Sequence, residues 1–404
     1  MSTRALTALA LALALAVTLT AGCARQSDLA LGNLPDSDLA ALVDSDAARQ
    51  LLAELLTRRS SGSRSATEGM TDTRLANLAA AGEPVDIPRL PDQARLRQIA
   101  RETSTDYSAL AFAKALTADP KSQAVQAAFD RYFREGSERS AAALTRPGAF
   151  PYTLVFAPSW LHKSHAETGA DFAFQRALVD RLGIPQRLVA TGESDSVEAN
   201  AAIIADSIRT MGCGSGPIVI VSASKSGAEA ALALTGLTQS ESACVAAWIN
   251  IAGALHGTPL ADAALQPPVK WMARSIFWLS GWSWDALTSL ATKPSRRRLE
   301  GRRLPEAITV LNIVAVPVSG SVGYQVYAGY QVLESHGPND GVVLLADTVW
   351  PNGINLVALG ADHLFFRWRD DAYVMALLRA VDLAVRRYGP TPEPSVAAEG
   401  EFAD

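Results

Sequence analysis

An α/β fold built on a mostly parallel sheet, with a helical N-terminal region and an insertion late in the sheet, is the architecture that the sequence predicts. From Pro151 onward, short apolar runs alternate with helical stretches. The runs lack polar alternation, which suits strands buried on both faces, and strands separated by helices pair in parallel. Between 254 and 306 a Trp-rich insertion interrupts that alternation.

The chain opens on MSTRALTALALALALAVTLTAGC, in which Arg4 precedes an uncharged Ala/Leu run from Ala5 to Ala21. A positive end, an apolar run and a small-residue finish are the layout of an export signal. Leu19-Thr20-Ala21-Gly22-Cys23 resembles the lipobox of bacterial lipoproteins, with Thr20 where that motif usually has an aliphatic residue. The resemblance implies a signal peptide over 1–22 and lipidation of Cys23. Ala24 after the cysteine implies an outer-membrane destination in the cell envelope, facing the periplasm, and diacyl anchoring would hold the protein on the membrane without spanning it.

Residues 23–37 are read as a tether and 38–146 as a helical region. Leu39, Leu42, Val43, Leu51, Leu52, Leu55 and Leu56 form a helical stripe, and the polar, Ser-rich stretch 58–73 reads as a loop. Further helical patterns fall around 92–103, 106–118 and 121–135. The domain over 147–388 has predicted strands at 153–157, 187–191, 217–222, 245–253, 308–316 and 354–360. Predicted helices lie near 169–182, 195–211, 225–237 and 369–387. The Pro-rich, acidic tail 389–404 reads as disordered.

Composition bounds the chemistry. The chain has 404 residues, a formal net charge of −5, 49% hydrophobic and 19% charged residues. That excludes a wholly disordered chain and argues against nucleic acid as a partner. Three cysteines, none in a CxxC pair, do not suit a disulfide scaffold or a structural zinc site. His162 and His165 have HxxH spacing without a third ligand, so a polar loop is expected there. No metal or cofactor is expected.

The predicted strand PIVIVS runs into Ala223-Ser224-Lys225-Ser226-Gly227 and then a helical pattern. A serine at a sharp strand-to-helix turn is lifted clear of the sheet, and the residues two before and two after it must be small. Ser222 and Ser226 take those places, in a relaxed G-x-S-x-G. The following helix would aim the Lys225 N–H at a developing oxyanion. Ser222-Ala223-Ser224-Lys225 also fits S-x-x-K, but the companion strings S-D-N and K-T-G are absent and the α/β alternation is wrong for that fold.

Over about 150–388 the chain resembles the α/β-hydrolase superfamily, in its lipase and esterase branch; the family's first two strands are not recognisable. The family order Ser…Asp…His is met by Ser224, Asp340 and His363. Asp340 lies in Asn-Asp-Gly-Val-Val, similar to the string around the acid in bacterial and GPI-processing lipases, with Glu334 the rival acid. His363 follows the last predicted strand in LGADHLFF. The resemblance implies an oxyanion N–H from Ser159 or Trp160, after the strand TLVFA. It also implies a cap over 255–305, with Trp271, Trp278, Trp282 and Trp284 packing on the body, lining an acyl pocket or meeting a membrane. In the family's sheet the strands after Cys213 and Cys244 are neighbours, so a disulfide is expected between them; the alternative is two buried thiols. A basic run, Arg296, Arg297, Arg298, Arg302 and Arg303, is expected to be solvated. The function implied is a membrane-anchored serine hydrolase cleaving a small-molecule or lipid carboxylic ester. An acyltransferase on the same fold, or a non-catalytic hydrolase-like lipoprotein, are the alternatives.

Overall fold

The computed structural model describes residues 36–61 and 90–389. Cys23, the signal, most of the tether, most of the Ser-rich stretch and the acidic tail lie outside the described residues. The chain begins with helices α1 (Asp36–Ala41), α2 (Asp46–Ser61), α3 (Gln93–Glu102), α4 (Thr105–Leu116) and α5 (Pro120–Leu144), the last bent at Gly136. Asp92, Ser104 and Asp119 cap α3, α4 and α5 by accepting backbone N–H groups, which is why those boundaries fall where they do. α2 continues through Ser61, so the Ser-rich stretch expected to be a loop from 58 begins as helix.

Then follow β1 (Thr153–Ala157), α6 (Ala173–Arg181), β2 (Gln186–Leu188), α7 (Val197–Met211), β3 (Ile218–Ala223), α8 (Lys225–Leu234) and β4 (Val245–Ile251). The cap carries α9 (Pro259–Ala264), α10 (Val269–Ser280), α11 (Trp284–Ser289) and α12 (Thr292–Leu299). The chain closes with β5 (Thr309–Val316), α13 (Tyr324–Glu334), β6 (Ile354–Leu359) and α14 (Asp371–Tyr388). The six strands form one parallel sheet in the order β2-β1-β3-β4-β5-β6. This is the mostly parallel α/β sheet that the apolar runs predict.

Alternate residues of each strand face opposite layers. Leu154, Phe156, Val219, Val221, Ile249, Leu311 and Ile313 pack with α14, α5 and α6 on one face. On the other, Val155, Ile218, Ile220 and Trp248 pack with α7 and α8. The part of that second face belonging to β5 and β6 is covered by the N-terminal helices: Val314, Val316, Val357 and Leu359 share a cluster with Leu52, Leu110, Phe112 and Leu116.

The N-terminal region also closes the sheet. β6 is an edge strand, and its outward N–H groups at Asn355 and Val357 donate to Ser122 Oγ (2.9 Å) and Gln126 Oε1 (2.8 Å) of α5. Side chains four apart on a helix are spaced about 6 Å, close to the two-residue repeat of a strand. Arg59 donates to Val357 O (3.2 Å). The edge is thereby denied to other strands.

Register is locked by three buried asparagines paired across β4, β5 and β6. Asn250 Nδ2 donates to Asn312 Oδ1 and Asn312 Nδ2 to Asn355 Oδ1, both at 3.0 Å. A one-residue slip would break the ladder and strand its amides in an apolar core.

Asp106, in the first turn of α4, bolts this region to the loop after β5. Its fully buried carboxylate accepts from Asp44 N (2.8 Å), Ser319 N (2.8 Å) and Ser319 Oγ (2.9 Å). Burial, with the Asp44 carboxylate adding to it, pushes Asp106 up to about 6, against the donors that favour its charge. The folded state therefore holds a proton there that the unfolded state releases nearer pH 4, and this contribution falls as pH rises from about 4 to about 6. Asp106→Asn is expected to gain up to about 3 kcal/mol relative to the wild type between pH 4 and pH 7, read by chemical denaturation at each pH.

Cys213 and Cys244 form a disulfide, with Cα atoms 5.1 Å apart, at the starts of β3 and β4 and away from the ends that carry the site. It closes a separation of 31 residues. Replacing both cysteines by alanine is expected to lower stability by roughly 3–4 kcal/mol on the chain-entropy relation, measured by equilibrium denaturation.

Candidate active site

β3 turns into α8 through a single residue. Ser224 has φ 52° and ψ −125°, a left-handed conformation that costs a non-glycine residue about 1–3 kcal/mol. The backbone around it holds the strain in place. Ser224 N donates to Ile251 O (3.0 Å), and Ser224 O accepts from Gly227 N (3.0 Å) and Ala254 N (2.8 Å). The elbow is thus clamped to the end of β4.

The small residues at the elbow have separate tasks. Ser222 is fully buried and accepts from Trp248 Nε1 (2.8 Å). Ser226 Oγ accepts from Ala223 N (3.0 Å) and donates to Ala223 O (2.9 Å), tying the turn to itself. Gly227 provides the close approach: a Cβ there would stand 2.6 Å from the Cα of Gly253. Gly253, which lies beyond β4 and outside the local string, was not identified from the sequence.

The acid loop reads directly from Asn339-Asp340-Gly341-Val342-Val343. Asp340 is fully buried, and its Oδ1 accepts from Val342 N (2.9 Å) and Val343 N (2.7 Å). Asn339 Oδ1 accepts from Gly341 N (2.9 Å), and Gly341 takes φ 101° where a Cβ would collide with Val326. These bonds leave Asp340 Oδ2 aimed at His363 Nδ1, 2.7 Å away. His363 N also donates to Asp340 O (2.9 Å), joining the loop after β6 to the acid loop. The rival acid, Glu334, sits at the end of α13 with Thr105 and is not the partner of His363.

The chain of contacts ends on the serine: His363 Nε2 is 2.8 Å from Ser224 Oγ. An ionised carboxylate only accepts, so Nδ1 carries the proton and Nε2 of the neutral ring accepts the hydroxyl. Burial disfavours the imidazolium of His363, but the charge and hydrogen bond of Asp340, with Asp362 beside it, outweigh burial and raise its pKa above 6.5. Asp362 turns away and accepts from Gly323 N and Leu364 N. The structure thus brings Ser224, His363 and Asp340 together.

Of the expected oxyanion donors, Lys225 N–H and Trp160 N–H meet no acceptor among the described residues. Ser159 is a correction: its N–H donates to Ala170 O (2.8 Å) and is spent on closing its own loop. The Lys225 side chain folds back into the protein and pairs with Glu229, both fully buried, with Asn200 Nδ2 donating to Glu229 Oε1 (2.9 Å). Lys225 is therefore committed to a structural pair, Ser222 is walled into the sheet, and the S-x-x-K reading has no site.

His162 bonds Ser159 O (3.0 Å) and His165 bonds Glu167 (2.8 Å). Among the described residues no group of three His, Cys, Asp or Glu side chains is placed to hold a metal. The cap packs Phe277, Leu287 and Leu290 over Ala228, Ala254 and Val343, with Trp160 at the same junction. Its tryptophans divide: Trp282 and Trp284 pack around Phe277, at 5.8 and 5.3 Å, whereas Trp271 and Trp278 face outward. The basic run divides too, with Arg296 paired to Asp347 and Arg298 buried against Glu198.

No protein-family model and no curated protein matches the chain. Among solved structures it is similar to a metagenomic carboxyl esterase, with 24% identity over 58% of this chain and 76% of that one and a TM-score of 0.49. It is also similar to the mature form of a Bacillus licheniformis lipase, with 20% identity over 52% of this chain and 84% of that one and a TM-score of 0.44.

Proposed function

We propose that the protein is a serine hydrolase of carboxylic esters. The observation that carries the reading is the linear series Asp340–His363–Ser224, at 2.7 and 2.8 Å, ending on a serine held at positive φ by the elbow.

Ser224 Oγ attacks the acyl carbonyl carbon while its proton passes to His363 Nε2. Asp340 holds the ring in the required tautomer and stabilises the imidazolium. The carbonyl oxygen takes the negative charge beside the Lys225 and Trp160 N–H groups. Collapse of the tetrahedral adduct breaks the ester C–O bond, and His363 returns the proton to the leaving alcohol. A water molecule, deprotonated by His363, then attacks the acyl-serine and releases the acid and free Ser224. None of these steps needs a cofactor.

Hydrolysis of a panel of p-nitrophenyl esters tests the reading, and the chain length preferred reports the size of the acyl pocket. The pH profile adds a sharper criterion. Only neutral His363 accepts the serine proton, so kcat/KM is expected to rise with pH through a midpoint above 6.5. A folded protein that turns over no ester in the panel, or a limb well below that midpoint, contradicts the assignment.

We propose further that Cys23 carries the lipid and holds the enzyme at the bacterial outer membrane, facing the periplasm. Support comes from the segment Leu19–Cys23 and the Ala/Leu run before it. Incorporation of labelled palmitate, lost in Cys23→Ser, tests the attachment, and fractionation of the two membranes tests the location.

A further inference from the structure

The cap helix α10 has two unlike faces. Val269, Ala273 and Phe277, spaced four apart, are buried against the body. On the opposite arc stand Trp271, Met272, Trp278 and Leu279, with Ser275 between them. Trp271 is 66% exposed, Trp278 79% and Leu279 76%. Together these side chains expose on the order of 500 Å² of apolar surface on one arc of the helix, in the range of the largest patch on a monomer, which is often functional.

We propose that this face of α10 seats on a phospholipid bilayer, so that the mouth of the Ser224 site opens onto the membrane that carries the protein. Three observations choose lipid over another protein. First, the exposed residues are led by two tryptophans, whose amphipathic rings favour the boundary between headgroups and acyl chains. Second, the charges of α10 are Lys270 and Arg274, with no acidic residue from 269 to 280, which suits phosphate headgroups at the flanks.

The third is where the chain enters the fold. Leu42 O accepts from Gly320 N (3.0 Å), and Leu39 packs on Gly360, so α1 lies at the C-terminal ends of β5 and β6. Those are the ends that bear the His363 and Asp340 loops, and the cap lies over the corresponding ends of β1, β3 and β4. The described chain therefore begins, at α1, at the same end of the sheet as the cap that carries α10. A lipid at Cys23 and the stripe on α10 act as two contacts with one surface, and the second sets the orientation that a tether alone leaves free. The inference rests on the lipid attachment proposed for Cys23 and deepens the reading of the Ser224 site.

The test uses the full chain in phosphatidylcholine–phosphatidylglycerol vesicles, with an environment-sensitive fluorophore on Trp278→Cys or, as a control at the opposite end of the sheet, on Glu306→Cys. At position 278 the fluorophore is expected to be quenched by lipids brominated along the acyl chain and shielded from aqueous iodide. At position 306 the two responses are expected to be reversed. Iodide quenching at 278 equal to that at 306 places the face in water and overturns the proposal. Shielding from both quenchers means that protein covers the face, which also overturns it, as does a chain that leaves the vesicles on flotation. Fluorophosphonate labelling of Ser224 in the same vesicles reports on the catalytic reading separately.

Discussion

Ser224→Ala is expected to abolish covalent labelling by a fluorophosphonate and to lower kcat for ester hydrolysis by roughly 10⁴- to 10⁶-fold. The fold should survive, because the backbone bonds of the elbow do not use the hydroxyl and alanine adds no atom. Residual turnover would come from the oxyanion N–H groups and substrate binding, so KM should change little. Labelling that persists in the variant would mean that the nucleophile lies elsewhere. Absence of labelling in the folded native protein would remove the covalent mechanism altogether.

The second large effect is expected at Asp340→Asn, near 10⁴-fold in kcat. Asp340 Oδ1 accepts from two backbone N–H groups while Oδ2 accepts from the imidazole, so all three neighbours are donors. An amide has one accepting end. With its NH₂ toward the ring, His363 must take the tautomer that carries hydrogen on Nε2, which cannot accept the serine proton. With its NH₂ toward Val342 and Val343, donors face donors in a buried loop, and stability suffers instead. Steady-state kinetics with a thermal melt separates the two outcomes, and unchanged kcat with unchanged stability would dismiss Asp340 as the orienting acid.

How much of this was legible in the sequence follows from the range of each signal. Strands buried on both faces leave continuous apolar runs, so β1 and β3 to β6 fall close to their expected limits. Ser224 is visible because strand, serine and helix are consecutive. Asp340 and His363 are reached through the resemblance to the α/β-hydrolase superfamily, by its order Ser…Asp…His and by the similarity of Asn-Asp-Gly-Val-Val to the string around its acid. What depends on contacts across the fold is not legible. Ser159 resembles a suitable donor by position, but its N–H is claimed by Ala170, which no spacing rule reveals. Gly253 meets Gly227 only because β3 and β4 are neighbours. Trp271 and Trp282 are equally tryptophan in the string, and only the packing of Phe277 decides which is exposed.

The helices of the N-terminal region are legible one at a time, but their role as cover for β5 and β6 is not. That arrangement bears on the order in which the molecule can be completed. Asp106 and its partner Ser319 are 213 residues apart, and Arg59 is 298 residues from Val357. The helices are synthesised first, whereas the strands that they cover are made among the last. Until β5 and β6 exist, Leu52, Leu110, Phe112 and Leu116 lack the strands they cover, and nascent chains of intermediate length carry that apolar surface uncovered. Such a topology makes early folding slow and exposes it to aggregation. The apolar faces of α2 and α4 thus wait some two hundred residues of synthesis for the strands that complete them.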